Sequence, residues 1–184
     1  SDEVKFLGII FDHKLNFRPH ISYLKDKCMK SLNILKVVGK TKWGADQTTL
    51  LKLYRTLIRS KLDYGAIVYG SARDSYINTL EPVANQALRL CLGVFRTSPI
   101  TSIQILAKEP PLQIRREQLT MQYCVKILAN PQNPIFPHIS NPRFVRDFTN
   151  KPTIIPPLGI RYRSSLQTGN LFTGKIIKNK LPRI

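Results

Sequence analysis

Residues 50–70 read LLKLYRTLIRSKLDYGAIVYG, and this run constrains the fold more than any other part of the chain. Leu50, Leu51, Tyr54, Leu57 and Ile58 recur at the spacing of one apolar helix face. Lys52, Arg55 and Arg59 follow at steps of three and four, which puts them on the opposite face. Asp46 suits the N-cap, where a carboxylate accepts from the free N–H groups of the first turn. Gly65 breaks the helix, Tyr64 and Tyr69 are assigned to the core, and Gly65 and Gly70 to turns. A helix with one apolar face has to be covered by other apolar faces, so the fold must supply more helices.

It does. Ile21, Leu24, Cys28, Leu32 and Leu35 form one stripe of a first helix opened by Pro19 and His20 and stopped by Gly39. Lys27 and Lys30 lie opposite that stripe. A third helix is expected over 75–92, with Pro82 either kinking it or marking its true first turn. Ser98 and Pro99 read as N-cap and first residue of a fourth helix, and 112–128 as a fifth. Ahead of them all, VKFLGIIF reads as a strand ending near Asp12, with Gly8 as a bulge or a close backbone approach and a second limb around Leu15–Phe17.

After residue 130 the character changes, since eight of the thirteen prolines fall there. Asn-Pro, Lys-Pro and Pro-Pro steps hold a backbone extended or turned. The resulting organisation is mainly α. A short β element occupies 1–19, a bundle of about five helices 20–129, and a Pro-rich extended basic tail or linker 130–184, with one short helix near Arg163–Gln167.

Charge narrows the partners. Twenty-nine Lys and Arg against eleven Asp and Glu give +18, a surface that a polyanion would relieve. No apolar stretch is long enough to span a membrane, and the start, SDEVKF, has no signal-peptide pattern. That start lacks Met and enters directly into an apolar run, as expected of a piece of a longer protein. Cys28, Cys91 and Cys124 sit among apolar residues at helical spacing, as buried thiols do.

The common chemistries find no footing. Two-metal polymerase chemistry needs clustered carboxylates. Here Asp12, Asp26, Asp46, Asp63 and Asp74 are scattered, and the pair Asp2-Glu3 stands at a chain end. His13, His20 and His138 have no ligand spacing, and neither a P-loop nor a nucleophile elbow occurs. No catalytic or metal site is expected in the chain.

Four segments in order resemble the reverse transcriptases of non-LTR, jockey-like retrotransposons. The run 50–70 resembles a segment found after their catalytic palm. Phe6, Leu7, Gly8, Asp12, Leu15, Phe17 and His20 match the stretch after their metal-binding hairpin. Asn85, Ala87, Leu88, Arg89, Gly93, Arg96, Thr97, Ser98 and Pro99 match their thumb pattern, with Pro82 as a departure, and EPPLQIRREQL resembles the segment that follows. The resemblance covers about residues 4–129. It implies a thumb-like helical domain and its downstream linker, with Leu7 and Gly8 in a primer-grip-like element. It places the catalytic aspartates and their Mg in a palm outside this chain, which alone is not expected to polymerise.

A thumb grips any sequence, so its contacts should be to phosphate. The nucleic-acid-binding candidates are Lys52, Arg55, Arg59, Lys27, Lys30, Arg89 and Arg96. An ordinary solvated helix face fits Lys52, Arg55 and Arg59 as well as phosphate binding does, and it fits Lys27 and Lys30 better. Trp43 either stacks on a base or packs on the core, and Arg115 and Arg116 either bind phosphate or, the favoured reading, pair with Glu117 and Glu109. The implied partners are RNA, an RNA–DNA or DNA duplex and the remainder of the polymerase, in nucleus and cytoplasm as a ribonucleoprotein, with no membrane. Two other readings share the composition: a stand-alone helical module for structured RNA, and an interaction scaffold from a decayed element.

Overall fold

The computed structural model describes residues 3–39, 44–150 and 155–168. The chain divides into two compact units, one up to Leu119 and one from Thr120. Trp43 and residues 169–184 lie outside the described residues, and so do the expectations attached to them.

The first unit begins with strands β1 (Glu3–Phe6) and β2 (Ile9–Asp12), antiparallel with Phe6 opposite Ile9. Leu7 and Gly8 join them, both in the left-handed region at φ 45° and 82°. A two-residue turn of this hand matches the twist of paired strands, which is why Gly is favoured in it. Gly8 thus lies in the turn and not in a bulge, close against the Tyr64 ring as the alternative of a close approach allows, and Leu15–Phe17 is not the expected strand. The Asp12 carboxylate accepts from the backbone N–H groups of Asn16 (3.1 Å) and Phe17 (2.8 Å) and winds that stretch into a loop.

Helix α1 (Arg18–Val38) follows, with Pro19 in its first turn, where a missing N–H costs nothing. Ile21, Leu24, Cys28, Leu32 and Leu35 are all buried, as their spacing requires. Helix α2 (Gln47–Tyr54) starts on Asp46, whose Oδ2 accepts from the N–H of Thr48 (3.1 Å) and Thr49 (3.3 Å). It runs without a break through a π-helical turn (Arg55–Arg59) into α3 (Ser60–Asp63).

The π turn has a reason in the sequence. Leu50, Tyr54, Ile58 and Leu62 are buried and step by four. In a regular α-helix each such step overshoots the face by about 40°. One wide turn takes up the surplus residue and keeps all four on the core side. The same turn carries Arg59 inward to 6% exposure, where the simple alternation of faces puts it outside.

Short helices α4 (Ala66–Tyr69) and α5 (Asp74–Ile77), a 3₁₀ turn (Asn78–Leu80) and α6 (Glu81–Leu92) come next. The single helix expected over 75–92 is thus two helices and a 3₁₀ turn, and Pro82 lies in the first turn of α6. Tyr69 is buried, but Tyr64 is 59% exposed, contrary to its assignment to the core. Helix α7 (Ile100–Ala107) starts after Pro99, which takes the cap position expected for Ser98, and α8 (Leu112–Leu128) matches its expected limits.

In the second unit, Cys124 and Ile127 of α8 form a small core with Ile139 of α9 (Phe136–Ser140) and Tyr162 of α11 (Leu158–Thr168). Helix α10 (Val145–Asn150) lies between them in sequence. A Cβ on Gly159 would fall 2.3 Å from the His138 carbonyl oxygen, so only glycine allows α11 to start this close to α9. Within the described residues the stretch expected as an extended tail from residue 130 carries three helices, and the last of them covers the short helix expected near Arg163–Gln167. The molecule is a short β-hairpin followed by a mostly helical architecture. Among the described residues no helix is long and apolar enough to cross a membrane.

Candidate functional site

The basic residues singled out in the sequence do not form one surface. Lys52 is exposed on α2. Arg55 and Arg59 turn instead to Glu109, in the link between α7 and α8. Arg55 Nε donates to Glu109 Oε1 at 2.7 Å and its Nη2 to the Ala107 carbonyl at 3.2 Å. Arg59 Nη1 donates to Glu109 Oε2, and its Nε to Asp63 Oδ1 at 3.2 Å. Asp63 also accepts from Arg115 Nη2 at 2.9 Å. Arg115 thus pairs with Asp63 and not with the expected acids, and Glu117 accepts from Gln113.

This cluster ties the long helix to α8 and takes up the positive charge of Arg59. Buried on both sides, the Arg59–Glu109 pair holds structure together and offers nothing to a ligand. Arg55 remains partly exposed. An open cleft of about 620 Å³ lies beside the cluster, lined by Ile105, Lys108, Glu109, Pro111, Arg115 and Gln118 among others.

Arg89 is half-buried, donates to the Ser98 carbonyl at 3.3 Å, and leaves its Nε without a partner. It thereby braces the loop between α6 and α7, on which Arg96 is exposed. Leu7 and Gly8 form the hairpin tip, with the Leu7 side chain 73% exposed.

One grouping escaped the sequence reading. Tyr23 of α1 lies between two lysines from different elements, with Lys27 Nζ 4.6 Å and Lys5 Nζ 4.9 Å from its ring centroid. Lys5 Nζ also donates to the Tyr23 hydroxyl at 3.1 Å. Hydrogen bonds from Lys27 and Lys5 pull the phenol below its ordinary pKa. Tyr23 and Lys27 stand four apart on α1, a pairing visible in the sequence. Lys5 arrives through the hairpin, and only the three-dimensional path brings it there. With Lys30 exposed one turn further along α1, this face carries three cations and an aromatic ring beside the hairpin.

Among the described residues no three His, Cys, Asp or Glu side chains gather as a metal site. Asp63 and Glu109 are taken up by arginines, so that pair of carboxylates does not suit Mg.

No family model matches the chain, and no solved structure matches it. Curated proteins do. A retrovirus-related Pol polyprotein from the type-1 retrotransposable element R1 of Bradysia coprophila is 33% identical over 142 residues, 73% of this chain and 14% of that protein. An RNA-directed DNA polymerase from the mobile element jockey of Drosophila funebris is 23% identical over 135 residues, 72% of this chain and 14% of that one. Its counterpart in Drosophila melanogaster is 24% identical over 133 residues, again 14% of its length. The chain thus spans about a seventh of these relatives, and over that span it is homologous to the RNA-directed DNA polymerases of jockey- and R1-like non-LTR retrotransposons.

Proposed function

We propose that this chain is the thumb-like part, with the segment that follows, of a retrotransposon RNA-directed DNA polymerase. It grips the primer–template duplex through backbone phosphates and leaves nucleotide addition, with its Mg, to the rest of the polymerase. The observation that carries this reading is the face formed by Lys5 of the hairpin with Tyr23, Lys27 and Lys30 of α1. Lysines on a helix face meet phosphates without regard to sequence, and an aromatic ring between them can lie against a sugar or base. Lys52 and Arg96 extend the same chemistry elsewhere on the surface. Arg59 drops out of the binding set because its charge is engaged with Glu109 and Asp63. In this reading the partners are RNA, RNA–DNA or DNA duplexes and the remainder of the polymerase, in a ribonucleoprotein of nucleus and cytoplasm.

The test is a duplex-binding titration against salt. Each phosphate neutralised contributes a slope of roughly −0.9 in log K against log salt, so about four contacts give a slope near −3.5. Lys27→Glu and Lys5→Glu are expected to weaken binding to every duplex sequence alike and to flatten the slope. A slope near zero for the unaltered chain sinks the proposal.

A further inference from the structure

Tyr64 is a large aromatic side chain that the core does not use. It stands at the end of α3, 59% exposed, yet its hydroxyl donates to the Leu7 carbonyl at 2.6 Å, across 57 positions of sequence. A Cβ on Gly8 would meet the Tyr64 ring at 3.5 Å, so the turn rests against that ring. Next to it, Gly65 has φ 68°, and a Cβ there would fall 2.7 Å from Ile9 Cδ1. The Tyr64–Gly65 bend therefore receives the hairpin tip closely, ring against turn and bare backbone against β2. Leu7 sits at φ 45°, a conformation that a leucine adopts at some cost, with its side chain turned to solvent. An exposed turn carbonyl is ordinarily satisfied by water. Here it is fixed to the helix framework instead.

We infer that Tyr64 is a positioning residue that holds the Leu7–Gly8 turn in place for contact with nucleic acid. The inference rests on the proposed reading of that turn as a primer-grip-like element. Tyr64 acts through the backbone of the turn and need not touch the ligand.

Tyr64→Phe removes only the hydroxyl, at a site too exposed to threaten folding. The variant is read in two ways, by amide hydrogen exchange across residues 4–11 and by duplex affinity, each with and without Leu7→Ala. Exchange in the hairpin should rise about five-fold, the equivalent of one ordinary hydrogen bond, with the thermal midpoint unmoved. Duplex affinity should fall by a similar factor in the unaltered background and not at all further in Leu7→Ala, because both changes act through one turn. Full affinity in Tyr64→Phe, with Leu7→Ala impaired, overturns the positioning role and leaves the primer-grip reading standing. A Tyr64→Phe penalty that persists undiminished in Leu7→Ala also overturns it. Full affinity in Leu7→Ala removes the primer-grip reading itself, and the inference with it.

Discussion

His20 shows how much one side chain can settle. It is 3% exposed, and its Nδ1 accepts from the Ile10 backbone N–H at 3.3 Å. The proton is therefore on Nε2, which has no hydrogen-bond partner, and the ring lies 5.4 Å from that of Tyr69. Burial lowers its pKa from the ordinary 6.5. The folded state thus refuses a proton that the unfolded chain accepts, so stability is fully present above about pH 6.5 and is lost as pH falls through the folded pKa. Urea unfolding should give a lower midpoint near pH 5 than near pH 7, and His20→Gln should flatten that difference. Asp12 acts in a separate window. Burial pushes its carboxyl up, but the backbone N–H groups of Asn16 and Phe17 prevail and hold it below 3.8. Its contribution is therefore lost only at more acid pH. The cysteines report on folding in another way. Burial pushes Cys28, Cys91 and Cys124 up to about 11, so none is a thiolate at neutral pH. All three should resist alkylation in the folded protein and react once urea unfolds it.

Between elements, the arginine–carboxylate cluster is the main polar tie. Glu109 is shared by Arg55 and Arg59, so Glu109→Gln leaves a buried guanidinium short of its partner. The expected cost is about 3–5 kcal/mol in urea unfolding, against almost none for Lys52→Glu on the exposed side of the same helix. Arg59→Glu would face Glu109 and Asp63 with a third carboxylate, so reversing all three residues of the stripe tests folding and not binding. The contrast explains what could be read in advance. The α1 stripe depends on local period alone, and the Asp46 cap on a residue type beside a helix start. Arg59 could not be placed, because its inward turn depends on the π bulge and on Glu109, 50 positions away. The hairpin turn was not legible for a different reason: Gly8 in a strand-like run fits a bulge, a close approach or a turn, and only the pairing decides. Prolines misled in the second unit. The density of proline after residue 130 suggests an extended or turned chain, yet Pro137 sits in the first turn of α9, where proline starts a helix. Of the proposed contact face, Tyr23 and Lys27 were legible by spacing, while Lys5 required the hairpin to fold back.

At the scale of the whole molecule, +18 acts on stability and on binding with opposite signs. Like charges repel across a surface of this kind, and salt screens them. Added salt should therefore raise the urea midpoint of the free chain while it weakens duplex binding. A parallel decline of both would point to surface ion pairs as the dominant charge effect. Homology was legible at this scale from four ordered segments, because their order survives where overall identity is low. Of the helices after 130, the one expected near Arg163–Gln167 was legible and is covered by α11, while α9 and α10 were not, since the core of this unit rests on a few distant residues, Cys124, Ile139 and Tyr162.

The wide turn at Arg55–Arg59 also means that the long helix is one residue longer than its packing needs. Thr56 is exposed within that turn. Its deletion would bring the four buried positions to offsets of 0, 4, 7 and 11, the run that a regular α-helix keeps on one face. A loss of one codon here should therefore be absorbed, with the turn closing to ordinary α geometry and the urea midpoint little changed. The same loss in the middle of α1 would swing half of its buried stripe by about 100° and unfold the unit. The helix thus has one place where a frame-preserving deletion heals itself, and the chain tolerates a length change there that it tolerates nowhere in α1.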